Sequence, residues 1–328
     1  MKVHWFLKND PIRSNSSLVR GVWCCEWLRQ RAVDVSWSGP PPRMNMRNWH
    51  EDGVLKVVPE MRSNTVGVVQ KIWSLALLQK LKANNVSTCF DADDEFDPSN
   101  PVHRLIIAAA TVVVCSSSVT ETELRKVHRH VFRIPCMPEQ PKSLAVAPSV
   151  GGQRIIWTGY KDTNLIEVEQ IKRPIQRLHH EIGSILVVHG SGEAKLSWSK
   201  GVVDVPFNLE RKDEVMATAQ IGVSNKPFNT EFWRKTEDKV VTYMAYGIVP
   251  LCSPIPSYSG LIKDGANGFL IAPDNMDDWY RKMKLLLTDA SLWRELSKAA
   301  RATIGEGYSR EIIGSAWFKA LRQCAEER

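Results

Sequence analysis

The sequence predicts an α/β protein made of two doubly wound halves in series. Three observations carry this expectation. Short Val/Ile-rich runs alternate with longer segments of helical periodicity along nearly the whole chain, as parallel strands buried on both faces require. The stretch EQPKSLAVAPSVGGQ at 139–153 has no periodicity and interrupts the alternation with prolines and glycines, as an interdomain linker does. A chain of 328 residues with 43% hydrophobic content has enough apolar side chains for two cores.

Taken in order, residues 2–7 are the first strand, and 14–31 (SNSSLVRGVWCCEWLRQR) a helix entered through a Ser/Asn cap. Residues 33–37 form a second strand, GPPP at 39–42 a turn, and 54–58 a further strand. The pattern over 64–84 reads as one long helix stopped by Asn-Asn. VSTCF at 86–90 is a strand that runs into the acidic loop DADDEFDP. Helix 102–110, strand 111–116, helix 119–130 and strand 131–134 complete the first half.

Beyond the linker the expected strands are 154–157, 184–189, 204–206, 221–224, 249–252 and 268–271. The expected helices are 165–182, 209–219, 238–245, 276–288, 290–306 and 311–326. The predicted domains are 1–150, with the linker at about 138–153, then 151–312, with the last helix at 313–328 returning to the first. In such sheets ligands bind beyond the carboxyl ends of the strands, and both sets of ends are expected to face one central cleft.

Composition narrows the partners. The net charge is +7, and nineteen Lys/Arg against fourteen Asp/Glu place +5 of it in residues 1–150. This favours anionic ligands such as nucleotides, or peripheral contact with an anionic membrane surface at the inner face. Nucleic acid is not expected, because aromatic and basic residues are not interleaved. The seven cysteines form no C-x-x-C pair, so buried free thiols are expected rather than a zinc site or disulfides. No run of 18 apolar residues occurs, and MKVHWFLKND has too short an apolar core for a signal peptide. The expected compartment is therefore the cytoplasm.

The richest stretch is KVVTYMAYGIVPLCSPIPSYSGLIKDGANGFLIAP at 239–273. Gly247 suits the left-handed residue that ends a helix, and residues 248–252 form a central strand. Residues 253–256 then lie at its carboxyl end, and the turn opening at Ser257, Tyr258 and Ser259 offers backbone N–H groups to a phosphate. Asp264 to Gly268 form a tight turn.

This stretch resembles the donor-binding half of GT-B glycosyltransferases, most closely glycosyltransferase family 4 (group 1) and its relatives. Lys235, Lys239, Tyr243, Met244, Ala245 and Gly247 fall on the family's pattern, as do Pro254, Ile262, Asp264, Gly265, Asn267, Gly268, Phe269 and Leu270. RIIWTGY at 154–160 and SILVVHGSG at 184–192 look like the family's donor-domain strands, and residues 276–304 like its closing helices. SNSSLVRG and CFDADDEFDP resemble N-terminal segments of the same family.

The resemblance implies GT-B architecture, with two Rossmann-like domains, and a retaining transfer of a sugar from a nucleotide-diphosphate donor. It implies a glycan or lipid-linked acceptor in polysaccharide or glycoconjugate biosynthesis. No metal and no cofactor beyond the nucleotide-sugar co-substrate are expected, so Lys235 and Lys239 would neutralise the leaving pyrophosphate. Thr242 stands where the family has a ribose-binding glutamate, and Arg234 where a second glutamate is usual. Tyr160 and Lys161 replace an Arg/Lys pair.

Further candidates come from position. Asp91, Asp93 and Asp94 cluster at a strand end, where they would orient an acceptor hydroxyl or act as a base; alternatively they cap the next helix. Arg13, Asn15 and Ser16 lie at a helix start after the first strand, as a phosphate or acceptor floor or as a simple cap. Gly159, His189 and Gly190 end donor-domain strands and would offer backbone contacts. Phe207, Trp233 and Tyr258 fall on predicted cleft loops. Two alternatives remain open: a non-catalytic nucleotide-sugar or glycan-binding protein, and a nucleotide-sugar epimerase of the same fold.

Overall fold

A computed structural model of the chain describes residues 1–11, 14–40, 49–58, 61, 64–227 and 230–327. The predicted site residue Arg13 and the second half of the 39–42 turn lie outside them. The chain divides into two compact units, Met1–Met137 with Ser309–Arg328, and Pro138–Tyr308.

The first unit holds a six-stranded parallel sheet of β1 (Lys2–Phe6), β2 (Asp34–Ser38), β3 (Thr65–Gln70), β4 (Ser87–Asp93), β5 (Val112–Cys115) and β6 (Val131–Arg133), in the order β2-β1-β3-β4-β5-β6. Apolar clusters form on both faces. One gathers Phe6, Val69, Leu77, Phe90 and Ile106; the other gathers Trp5, Leu28, Val68, Val114 and Trp317.

Two sequence expectations fail here. The predicted long helix at 64–84 is a central strand followed by a helix, Leu75–Ala83. TVGVVQ is rich in β-branched residues and all six of its residues are buried, which only a strand covered on both faces achieves. The helix begins where Ser74 accepts a hydrogen bond from the Leu77 N–H at 3.3 Å. The predicted strand at 54–58 is helical, Val54–Val57, because a short apolar run has no period of its own to decide between the two. The 14–31 helix is a chain of shorter pieces around a wide turn, Leu18–Val22, before Trp23–Arg29.

The second unit repeats the plan with β7 (Arg154–Tyr160), β8 (Ile185–Ser191), β9 (Val202–Pro206), β10 (Ile221–Ser224), β11 (Val249–Cys252) and β12 (Phe269–Leu270), all parallel in the order β12-β11-β10-β7-β8-β9. The predicted helix 165–182 is broken into Ile166–Glu169 and Lys172–Ile182, with the short helix Lys161–Asn164 ahead of it. Helix Asp238–Tyr246 stops at Gly247, whose φ of 75° is left-handed. Helices Met276–Thr288 and Ala290–Gly307 close the unit.

Residues 139–153 are strapped to this second unit. The Ala145 N–H donates to the Tyr246 carbonyl at 2.9 Å, and Gln220 Nε2 donates to the Val146 carbonyl at 3.1 Å. The last helix, Arg310–Glu326, belongs to the first unit and buries Ile313, Trp317, Leu321 and Cys324 there. All seven cysteines are buried and free. Among the described residues, no helix is long and apolar enough to cross a membrane.

Candidate functional site

In the second unit the carboxyl ends of β7, β10 and β11 converge on one buried carboxylate. Glu167 comes from the short helix Ile166–Glu169 and has no solvent exposure. Its Oε2 accepts from Lys239 Nζ at 2.7 Å, Ser224 Oγ at 2.8 Å and Trp157 Nε1 at 3.1 Å. Its Oε1 is paired with Lys226 Nζ. Two ammonium groups against one carboxylate leave this trio with a surplus positive charge.

The cations are shaped by aromatic rings. Lys239 Nζ lies 4.8 Å from the Trp157 ring centre, and Lys226 Nζ lies 4.9 Å from that of Phe232. Burial alone would raise the Glu167 pKa, but Lys226 and then Lys239 hold it down to about 2. Burial lowers Lys239 to about 8 against the attraction of Glu167.

A further layer fixes these groups. Tyr258 Oη lies 3.0 Å from Ser224 Oγ, and Tyr243 Oη accepts the Thr158 N–H at 3.1 Å. The Lys226 N–H donates to Ser253 Oγ at 2.7 Å, tying the end of β10 to the end of β11.

The predicted donor residues fall around this core in different ways. Lys239 is in the cluster. Lys235 precedes the helix Asp238–Tyr246 and so does not share a helical face with Lys239. Thr242 is buried on that helix, one turn beyond Lys239. Tyr258, expected on a cleft loop, is 1% exposed, and its hydroxyl lies against Ser224. Ser257 Oγ is buried with no hydrogen-bond partner among the described residues, and Ser259 is exposed. Both lie in the single helical turn Pro256–Ser259.

At the ends of β7 and β8 the backbones approach closely. A Cβ on Gly190 would lie 2.2 Å from the Gly159 carbonyl oxygen, so only glycine fits there. Lys161 is buried, with Nζ 3.1 and 3.2 Å from the Asp204 carboxylate. His189 is buried, and burial lowers its pKa. Its Nδ1–H donates to the Val205 carbonyl at 3.1 Å, which leaves a buried Nε2 unpartnered among the described residues. Phe207 stands 5.6 Å from the His189 ring.

In the first unit the acidic run separates by role. Asp91 is fully buried in a two-point pair with Arg20, Nε to Oδ2 at 3.0 Å and Nη2 to Oδ1 at 2.7 Å. It is a structural ion pair, out of reach of an acceptor. Asp93 accepts from Ser116 Oγ at 2.6 Å and Lys71 Nζ at 3.0 Å, while Asp94 accepts from the same Nζ at 2.9 Å. Lys71 and Asp93 end neighbouring strands and hold left-handed φ values of 54° and 49°. Such strain costs about 1–3 kcal/mol per residue and concentrates at functional sites. Asn15 and Ser16 are half-buried nearby, with the Ser16 carbonyl accepting from Gln70 Nε2 at 2.9 Å. Among the described residues no group of three or more His, Cys, Asp or Glu side chains is arranged to hold a metal ion.

Glu167, Lys226, Arg20 and Lys71 were not singled out from sequence. Lys226 carried a usable signal, since it comes just after the predicted strand 221–224 and strand ends in these sheets face ligands.

Comparison with known proteins agrees with this layout. Residues 239–303 match the family described as glycosyl transferases group 1. No curated protein matches by sequence. Among solved structures, sucrose-phosphate synthase from Thermosynechococcus elongatus is 13% identical, covers 100% of both chains and superposes with a TM-score of 0.73. HepE of Anabaena, solved with UDP-glucose, is 13% identical over 98% of this chain and 100% of its own, at 0.69. TarM of S. aureus is 14% identical over 82% of this chain, at 0.63; the match spans 57% of TarM. The chain thus has the GT-B fold, and its second unit carries a segment of the group 1 glycosyl transferase type.

Proposed function

We propose that the chain is a glycosyltransferase that moves a sugar from a nucleotide-diphosphate donor to a glycan or lipid-linked acceptor. Transfer retains the anomeric configuration, needs no metal and takes place in the cytoplasm, in the building of a polysaccharide or other glycoconjugate. The observation that carries this reading is Lys239. It opens the group 1 segment and sits in a buried cluster with surplus positive charge at the strand ends of the second unit.

A departing diphosphate needs its growing charge met by groups already in place. Lys226 and Lys239 meet that need without reorganising, because Glu167 and the rings of Trp157 and Phe232 hold them. Lys235 adds a third cation before the same helix. The Lys71–Asp93–Asp94 cluster of the first unit supplies carboxylates to orient an acceptor hydroxyl. HepE has been solved with UDP and with UDP-glucose, which makes UDP-sugars the first donors to try.

A second reading, binding without transfer, is favoured by Thr242 and Arg234, which stand where the resembled family has glutamates. Thermal-shift titration with UDP, GDP, ADP, dTDP and CMP tests the donor site through ligand-linked stabilisation. One nucleotide should raise the melting temperature, and Lys239→Ala should abolish that rise. The absence of any shift refutes the donor site. Acceptor-dependent release of the nucleotide from its sugar form then separates transfer from binding alone.

A further inference from the structure

The second unit has another polar feature at the opposite end of its sheet. Gln220 precedes β10 and Gly247 precedes β11, so both mark the amino ends of the strands. A pocket of about 190 Å³ opens there between the 139–153 strap and the helix Ala290–Gly307. Its floor includes Gly247, Trp293 and Ser297, and its rim carries Arg294, Lys298 and Arg301.

The floor is fixed by the fold. Trp293 Nε1 donates to the Gln220 carbonyl at 2.9 Å, and Ser297 Oγ donates to the Gly247 carbonyl at 2.6 Å. A Cβ on Gly247 would lie 2.9 Å from Ser297 Oγ, and φ there is already left-handed. The rim is different. Arg294, Lys298 and Arg301 are exposed at i, i+4 and i+7 on one helical face. They carry no hydrogen bond or ion pair within the described residues, and no carboxylate lines the pocket. Like charges at this spacing repel each other and weaken the helix. A formed floor beneath an uncompensated cationic rim is complementary to an anion, and guanidinium forks match phosphate oxygens in geometry.

We propose that this pocket is a second anion site that takes a phosphate-bearing ligand, separate from the Glu167 cluster at the other end of the sheet. The phosphate belongs either to a free phosphate compound or to a lipid headgroup. The second source is worth a separate arm because Leu144, Val146 and Val150 on the strap are 37%, 62% and 100% exposed. Apolar side chains beside cations also suit an anionic lipid surface.

The test uses the full chain, its Arg294→Ala/Lys298→Ala double variant and, as a control for the other site, Lys235→Ala/Lys239→Ala. Inorganic pyrophosphate is titrated calorimetrically into each. The wild type and the control should share a binding event that the rim variant weakens at least about tenfold, since charge-assisted contacts are lost. Co-sedimentation with phosphatidylglycerol vesicles, against phosphatidylcholine vesicles, forms the second arm. Loss of sedimentation in the rim variant assigns the phosphate to a lipid headgroup, whereas loss of pyrophosphate binding alone assigns it to a free compound. Because the rim side chains are exposed and unpaired, the rim variant should melt within a degree or two of the wild type. Unchanged pyrophosphate binding and unchanged vesicle partition in the rim variant overturn the proposal.

Discussion

Lys239 is held in two ways at once: Glu167 favours its charge, and burial opposes it, leaving its pKa at about 8. Above that pH the cluster loses a positive charge, so affinity for the nucleoside diphosphate that shifts the melting temperature should fall between pH 7 and 9. Lys239→Arg keeps the charge at every such pH and should flatten the profile; a flat profile in the wild type would sink the assignment. The same shift acts on stability. The native state gives up this proton more readily than the unfolded chain, so the contribution of Lys239 to stability grows as pH rises from about 8 towards 10.5. Glu167 acts in the same sense at acid pH, stabilising fully above 4.5 and losing that contribution as pH falls towards about 2. Glu167→Gln keeps the shape but leaves two buried ammonium groups without a counter-ion, which should cost about 3–5 kcal/mol. Urea denaturation measures it, and a loss under about 1 kcal/mol would contradict the buried trio. Lys239 was legible in the sequence because it sits on a spaced motif. Glu167 was not, because its partners lie 59 and 72 residues away and only the folded sheet brings them together.

Among the elements, the last helix shows how closely the first unit is packed. A Cβ on Gly314 would lie 2.2 Å from the Trp27 ring, in the contact between helices Arg310–Glu326 and Trp23–Arg29. The ring is half of a fixed pair, since Arg31 stacks on it with Cζ 3.7 Å from its centre. Gly314→Ala should therefore destabilise by about 1–3 kcal/mol despite its better helix propensity. Hydrogen exchange should show the loosening in residues 23–29 and 310–326 first; a stabilised variant would mean the helices separate freely. The sequence resolved elements where period and punctuation agreed, as in the strand Val249–Cys252 between Gly247 and Pro254, or the amphipathic helix Met276–Thr288. It failed at 64–70, where Val and Gly run directly into a helical pattern with only Lys71, Trp73 and Ser74 to signal the change. That one error hid Lys71, whose place at a strand end depends on β3 being a strand.

At the scale of the whole molecule, the chain builds one core, then a second, and returns to complete the first. The apolar cluster of Val3, Trp5, Val68 and Val114 includes Ile313, Trp317 and Leu321 from the final helix, and the Trp5 and Trp317 rings lie 4.8 Å apart. Arg20, which anchors Asp91, also lies 5.6 Å from the Trp317 ring centre. The second unit draws its clusters from its own residues, 138–308. Deleting residues 309–328 should therefore act on one unit alone. Each lost large apolar side chain removes about 1.5–3 kcal/mol, so together Ile313, Trp317 and Leu321 reach the lower end of the roughly 5–15 kcal/mol that holds a domain folded. Calorimetry of the truncated chain should show a melting transition for residues 138–308 and none for 1–137. The nucleotide that shifts the full-length protein should still shift that surviving transition, because the Glu167 cluster is built from the second unit alone. Survival of a cooperative transition in residues 1–137 would show that the last helix merely covers a core already complete without it.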